Sequence, residues 1–142
     1  VRSLPNERNR AIALAMAQSG YVDASETALD TYNHVCCLSG TVADLASLGM
    51  LLVQGNKAIL PEHRRTVNAL MTTCGLYQAS GRFAVEVGIP TKSGVSGALV
   101  SVVPNQCAIA CYSPALDQAG NSKACLFLLQ QLTQALNLSV FG

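Results

Sequence analysis

Tryptophan is absent from this 142-residue chain, aromatic residues make up 5% of it, and only 12% of it is charged. Each shortage excludes something. A typical soluble domain is about 25% charged, so nine basic and eight acidic side chains cover little of a domain-sized surface. A sequence-independent grip on nucleic acid needs many phosphate contacts. The formal net charge of +1, with no basic block denser than His63-Arg64-Arg65, does not supply them. Three Phe and four Tyr leave no visible stacking platform for single strands. Disorder goes with low hydrophobicity and high net charge, whereas 50% of these residues are hydrophobic. The chain is therefore expected to fold as one domain, since domains usually run about 100–200 residues. The shortage of charge predicts either that much of the surface meets another chain or that part of the protein lies outside this segment.

Cysteine is present, as six residues at 36, 37, 74, 107, 111 and 125, but no CxxC pair or Cys/His cluster with metal-ligand spacing occurs. A core this apolar does not need disulfide staples, so free buried thiols in a reducing compartment are expected. No metal and no cofactor are predicted. The chain opens on Val1 without a signal peptide, which reads as a processed or truncated piece of a running domain in the cytoplasm. The longest charge-free stretch, Ser93 to Leu116, is interrupted by Pro104-Asn105-Gln106. Each flank is too short to span a bilayer as a helix, and no membrane association is expected.

The first half reads as short helices over 7–18, 25–38, 42–54 and from Pro61 through Thr73. Asn6, Ser25 and Thr41 are the expected N-caps, Pro61 suits a first helical position, and Gly20 and Gly55 mark stops. The second half changes to strands over 83–87, 97–103 and 107–112, rich in Val, Ile and Ala and expected to be buried on both faces. The link Val103-Pro104-Asn105-Gln106 predicts a hairpin. A last helix over 123–136, capped by Asn121 or Ser122, and a short strand over 138–141 complete an α+β class. There is no internal repeat or low-complexity tract.

Chemistry-bearing residues are few. His34 and His63 are lone histidines on predicted helices, and no HExxH occurs. Cys107 and Cys111 share one strand face and read as small hydrophobes. Cys36 and Cys37 are adjacent on a helix, which points the two thiols apart. Tyr32 and Tyr77, taken alone, read as packed aromatics with wet hydroxyls. The sharpest local feature is Lys92-Ser93-Gly94. A Lys-[Ser/Thr]-Gly triplet on an edge strand is one of three signatures of penicillin-recognising serine enzymes; alone it equally describes an exposed lysine before a glycine turn. The other two signatures are absent: Gln54, Ile89 and Gly120, not serine, stand three residues before Lys57, Lys92 and Lys123, and Ser-Asp-Asn does not occur.

Read in order, seven segments carry a resemblance. They are Arg8-Asn9-Arg10-Ala11-Ile12-Ala13; Leu29-Asp30-x-Tyr32-x-x-x-Cys36; Met71-x-x-Cys74-Gly75-Leu76-Tyr77; Ser80-Gly81-x-Phe83-Ala84; Val87-Gly88-Ile89-Pro90-x-Lys92-Ser93-Gly94-Val95; Val102-Val103-Pro104; and Ser113-Pro114-x-Leu116-Asp117-x-x-Gly120-Asn121-Ser122. Together they resemble the C-terminal half of the serine-dependent glutaminase family across essentially all of residues 1–142. The resemblance implies a β-lactamase/transpeptidase-like fold. It also implies hydrolysis of L-glutamine to L-glutamate and ammonia through a serine acyl-enzyme, whose nucleophile and lysine base are not on this chain.

Residue by residue, the resemblance implies that Asn9 and Tyr32 bind substrate. Tyr77 lines the pocket near the nucleophile and aids proton transfer. The backbone N–H of Val95 forms half of an oxyanion hole, and Gly94 lets the strand edge approach substrate closely. Lys92 supplies positive charge nearby. A homo-oligomer, dimer or tetramer, is implied as well. This sequence departs from the family pattern at Arg2, which stands where the family has a substrate-binding glutamate, and at Ser96-Gly97-Ala98, where the family is glycine-rich. The competing expectations are an inactive glutaminase-like half-domain serving as a binding or structural unit, and another penicillin-recognising acyl-enzyme. The segments around Cys74 and Asp117 argue against the latter.

Overall fold

Two helices form the N-terminal part where apolar spacing predicts them, the first stopping just before Gly20 and the second at Cys36. The computed structural model describes residues 6–142; Arg2 lies outside the described residues. The chain divides into two units, Val1–Gly40 and Thr41–Gly142. In the first, α1 (Glu7–Gln18) ends where the Ser19 N–H bonds the Ala15 carbonyl at 3.0 Å, and Gly20 takes φ +75°. The second helix, α2 (Ser25–Cys36), begins after Ala24. Among the residues of these helices, only Ala13 and Leu29 are fully buried. An exposed ion pair joins Arg10 to Glu26 across them.

The second unit is built around a three-stranded antiparallel sheet. Helix α3 (Val42–Met50) starts at a reciprocal cap. Thr41 Oγ1 accepts the Asp44 N–H at 3.2 Å, and Asp44 Oδ2 accepts the Thr41 N–H at 2.8 Å, which satisfies two orphan donors of the first turn. Helix α4 (Pro61–Cys74) carries Pro61 in its first turn, and a 3₁₀ turn over Tyr77–Ala79 leads into α5 (Ser80–Glu86). Strands β1 (Thr91–Ser93), β2 (Ala98–Val103) and β3 (Cys107–Tyr112) follow, in that spatial order. Helix α6 (Lys123–Leu136) closes the unit.

Strand alternation divides the core into two layers. Leu99 pairs with Cys111, and Val103 with Cys107. These residues pack with Phe83 and Val87 of α5 and with Cys125 and Leu129 of α6. On the opposite face Val100, Val102 and Ala108 pack with Val53 and Met71. Helix α3 approaches this face so closely that a Cβ on Gly49 would lie 2.8 Å from the Ala108 Cβ. The hairpin between β2 and β3 forms as its sequence predicts. Pro104 precedes Asn105, which takes φ +62°, and the Gln106 N–H returns to the Val103 carbonyl at 3.0 Å.

Several expectations are corrected. Residues 83–87 are not a strand: they fall largely in α5, with Phe83 and Val87, one turn apart, both buried and Val85 exposed. A five-residue apolar run fits either period, and its neighbours decide. Residues 138–141 form no strand. Asn137 ends α6 at φ +52°, and a single backbone bond joins the Val140 N–H to the Gly88 carbonyl at 2.8 Å. Helices α2 and α3 stop earlier than expected, so Cys37 lies just beyond α2. Asn6, Ser25 and Ser122 make no side-chain cap, and Ser25 sits inside its helix. Of the two strands expected to be buried on both faces, β2, the central strand, is well buried, whereas β3 is an edge and half-buried. All six cysteines are free, but Cys125 alone is buried, whereas Cys36, Cys37 and Cys74 are exposed.

Candidate active site

In the first unit, helical periodicity places Asn9 and Tyr32 on the walls of one cavity of about 430 Å³, with Ile12, Met16, Val22 and Leu29 supplying apolar surface. Asn9 Nδ2 donates to Asn6 Oδ1 at 2.6 Å, and Asn6 Nδ2 donates to Asn33 Oδ1 at 2.6 Å. This relay ties the first turn of α1 to α2. Tyr32 is half-exposed, and Cys36 stands one turn further on. A hydrogen bond with the Cys36 thiol, together with the unfavourable charge between the two groups, holds the Tyr32 phenol above its ordinary pKa. The bond that raises it engages the phenol O–H on Cys36.

The second unit brings Tyr77, Lys92 and Val95 together. After α4 the chain passes so close to β1 that a Cβ on Gly75 would lie 1.9 Å from the Thr91 carbonyl oxygen. Only glycine permits this crossing. Its carbonyl accepts the Ser93 N–H at 3.2 Å. Two residues later Tyr77 sits at φ +55°, a left-handed conformation that bulky residues rarely adopt. Such strain persists only where the surroundings impose it. Here Ser80 Oγ accepts the Leu76 N–H at 2.9 Å and donates to the Tyr77 carbonyl at 2.8 Å. The result is a Tyr77 side chain that is 43% exposed, with the Lys92 ammonium 5.3 Å from its ring centre, within cation–π range.

Val95 lies at the tip of the turn between β1 and β2. The turn is closed by the Gly94 N–H to the Ala98 carbonyl at 2.8 Å and by the Gly97 N–H to the Gly94 carbonyl at 2.9 Å. Gly97 takes φ +98°, and a Cβ there would lie 2.3 Å from the Ser113 carbonyl oxygen. A Cβ on Gly94 would meet nothing nearer than 3.5 Å, so packing within this chain does not require glycine at that position. A Cβ on Gly120 would lie 3.7 Å from Tyr77 Cε2 and 3.8 Å from Val95 Cγ1, which places the tyrosine ring and the valine side chain both beside this glycine. Among the described residues, no backbone carbonyl accepts the Val95 N–H. A phenol, an ammonium and a free backbone donor thus border one surface, an arrangement suited to stabilising negative charge that develops on a bound carbonyl oxygen.

Other candidates are placed elsewhere. His34 Nδ1 lies 2.8 Å from the Asp30 carbonyl oxygen, an ordinary contact along α2. Among the described residues, no group of three His, Cys, Asp or Glu side chains could hold a metal ion, and no helix is long and apolar enough to cross a membrane. Sequence reasoning assigned no catalytic or binding role to Ser80, Ser93 and Asn121, all of which are buried. Each lies inside a segment that carries the resemblance, but only Ser93, between Lys92 and Gly94, stands beside residues that were assigned one.

The sequence profile of the family described as Glutaminase matches residues 1–141. The glutaminase of Alkaliphilus oremlandii strain OhILAs is 43% identical over 143 residues, covering 95% of this chain and 47% of that protein. Glutaminase 2 of Escherichia coli strain K12 is 44% identical over 142 residues, covering 94% of this chain and 46% of that protein. Among solved structures, the Bacillus subtilis glutaminase YbgJ, in covalent complex with 5-oxo-L-norleucine formed from 6-diazo-5-oxo-L-norleucine, superimposes with a TM-score of 0.87. Its identity is 35%, and the match covers 94% of this chain and 51% of that one. The chain spans about half the length of the relatives it matches.

Proposed function

Because this chain belongs to the glutaminase family, with the partial β-lactamase-like fold of its structural relatives, we propose that residues 1–142 are the C-terminal portion of a single catalytic domain that hydrolyses L-glutamine to L-glutamate and ammonia. The observation that carries this reading is Tyr77, held at φ +55° beside Lys92. A serine outside this chain, its proton taken by the lysine base that also lies outside it and later passed to the leaving nitrogen, attacks the side-chain carboxamide carbon. The carbonyl π electrons move to oxygen, where the Val95 N–H stabilises them. Collapse of this intermediate expels ammonia, with Tyr77 serving the proton transfer, and leaves a glutamyl ester on the serine. Water then attacks the ester and releases glutamate. Asn9 and Tyr32 bind the substrate. Lys92 raises the local positive potential around the Tyr77 ring.

The same reading makes the protein a cytoplasmic homo-oligomer. Exposed apolar side chains such as Leu38, Leu48, Val85 and Phe127 support burial against further protein, and three exposed free thiols support a reducing compartment. The exposed apolar surface equally suits an inactive half-domain that binds a partner. A glutamate-release assay on the protein that carries this chain separates the two. Release of glutamate, with turnover lowered about 10²- to 10⁴-fold in Tyr77→Phe, supports the enzyme. No release from the unaltered protein overturns it, and Tyr77→Phe turnover equal to that of the unaltered protein removes Tyr77 from the chemistry.

A further inference from the structure

We propose that Asn121 is a positioning residue for Tyr77: its buried carboxamide ties β1 to the turn that carries the phenol. This inference rests on the reading of Tyr77 as an active-site residue and goes beyond it. Asn121 has 0% exposure, and both ends of its amide are used. Oδ1 accepts from Ser93 Oγ at 2.6 Å, and Nδ2 donates to the Leu76 carbonyl at 3.1 Å. These partners lie 28 and 45 residues away in sequence, on β1 and on the turn after α4. One side chain therefore sets the distance between β1, which bears Lys92 and leads into the Val95 turn, and the turn that bears Tyr77.

The asparagine is itself held. Its backbone N–H donates to Asp117 Oδ1 at 2.9 Å, and its carbonyl accepts the Asp117 N–H at 2.8 Å. Around the strained residue the bonds then form a closed set. Asn121 fixes the Leu76 carbonyl immediately before Tyr77, while Ser80 Oγ takes the Leu76 N–H and donates to the Tyr77 carbonyl. A left-handed tyrosine needs that degree of over-determination to persist. A buried amide is costly unless all its groups are bonded, and an apolar residue would fill the same space without that cost. The amide's use is to fix a position.

The test uses Asn121→Asp in the full protein that carries this chain, with kcat, KM and melting temperature measured from about pH 8 to about pH 5. The aspartate keeps an acceptor for Ser93. When ionised it faces the Leu76 carbonyl with like charge; when protonated it can donate to that carbonyl as the amide does. Burial, and the Asp117 carboxylate bonded to the same residue's N–H, raise its pKa toward the neutral range. The expected result is kcat lowered about 10- to 100-fold at the alkaline end with KM nearly unchanged. The ratio of variant to unaltered kcat then climbs toward one as the pH falls. A ratio that is flat with pH, or a loss confined to melting temperature, overturns the proposal. If Asn121→Asp does not fold, Ser93→Ala removes one bond of the clamp; lowered kcat supports the proposal and unchanged kcat overturns it. An unaltered protein that releases no glutamate overturns the glutaminase reading beneath it. Release with Asn121→Asp tracking it at every pH overturns only the role of Asn121.

Discussion

The two units place their candidate tyrosines by different means. In Val1–Gly40, Tyr32 and Asn9 reach one cavity because helical spacing turns them there. The supporting bonds, Asn9 to Asn6 to Asn33, lie near the surface and are only part-buried. In Thr41–Gly142, Tyr77 is held by buried polar groups: Ser80 within its own turn, and Ser93 with Asn121, which join segments far apart in sequence. Local periodicity aims a side chain cheaply but leaves it mobile. A buried, fully bonded network holds a strained backbone, at the cost of requiring every partner. The second unit is therefore the part expected to fail abruptly when one group is changed.

The largest contrast concerns two glycines. Gly75→Ala sets a Cβ 1.9 Å from the Thr91 carbonyl oxygen and 2.3 Å from that of Met71, both backbone atoms that cannot move alone. The expected loss exceeds about 4 kcal/mol in chemical denaturation. Gly20→Ala meets nothing within 4 Å and suffers only its φ of +75°, a penalty of about 1–2 kcal/mol. Equal losses would show that the close approach of α4 to β1 carries no special constraint.

Next in size is the core. Leu129 has 0% exposure, and Leu129→Ala should cost about 2–5 kcal/mol. Leu14 on α1 is exposed, and Leu14→Ala should change stability by about 0.5 kcal/mol or less. A loss of about 2 kcal/mol or more at Leu14 would show that this helix face is covered in the assembled protein.

Thiol chemistry should follow the same division. Burial, together with a hydrogen bond that the Cys111 thiol donates to Cys125 and the charge between the two, pushes Cys111 up to about 12 from an ordinary 9.0. Alkylation near neutral pH, followed by peptide mass mapping, should therefore label Cys36, Cys37 and Cys74 well before Cys111. A raised folded pKa means that the contribution is fully present below the unfolded value and is lost as the pH rises through it toward the folded one. The second unit should weaken in alkali above about pH 9; early labelling of Cys111 would contradict its packing beside Cys125.

The smallest effect is at the start of α3. Asp44 is held below the ordinary carboxylate pKa, first by the Thr41 backbone N–H and then by its hydroxyl. A depressed folded pKa stabilises above the unfolded value and is lost as the pH falls through the folded one. Thr41→Val should shrink that acid-side loss in pH-dependent melting. An unchanged acid limb would show that the cap does not couple to Asp44.

Much of this was legible beforehand. Helices α1, α4 and α6 and strands β2 and β3 follow from apolar spacing, Pro61 and the Pro104-Asn105 turn. Tyr77, Lys92 and Val95 all fall inside the segments that carry the family resemblance, and the second unit brings Lys92 beside the Tyr77 ring and Val95 near Gly120. The run Phe83-Ala84-Val85-Glu86-Val87 was misread because β-branched and aromatic content favours a strand. Burial of Phe83 and Val87 against Leu129 favours one helical face, and packing outweighs a weak local preference.

By itself the sequence determined where most elements lie and which family the chain joins, because period, caps and ordered segments are local properties of the chain. It could not determine that Tyr77 is left-handed, that Gly75 lies against Thr91, or that Asn121 joins β1 to the Tyr77 turn. Those features arise only when segments distant in sequence share a buried space, where each polar group must find a partner and each close approach must find room.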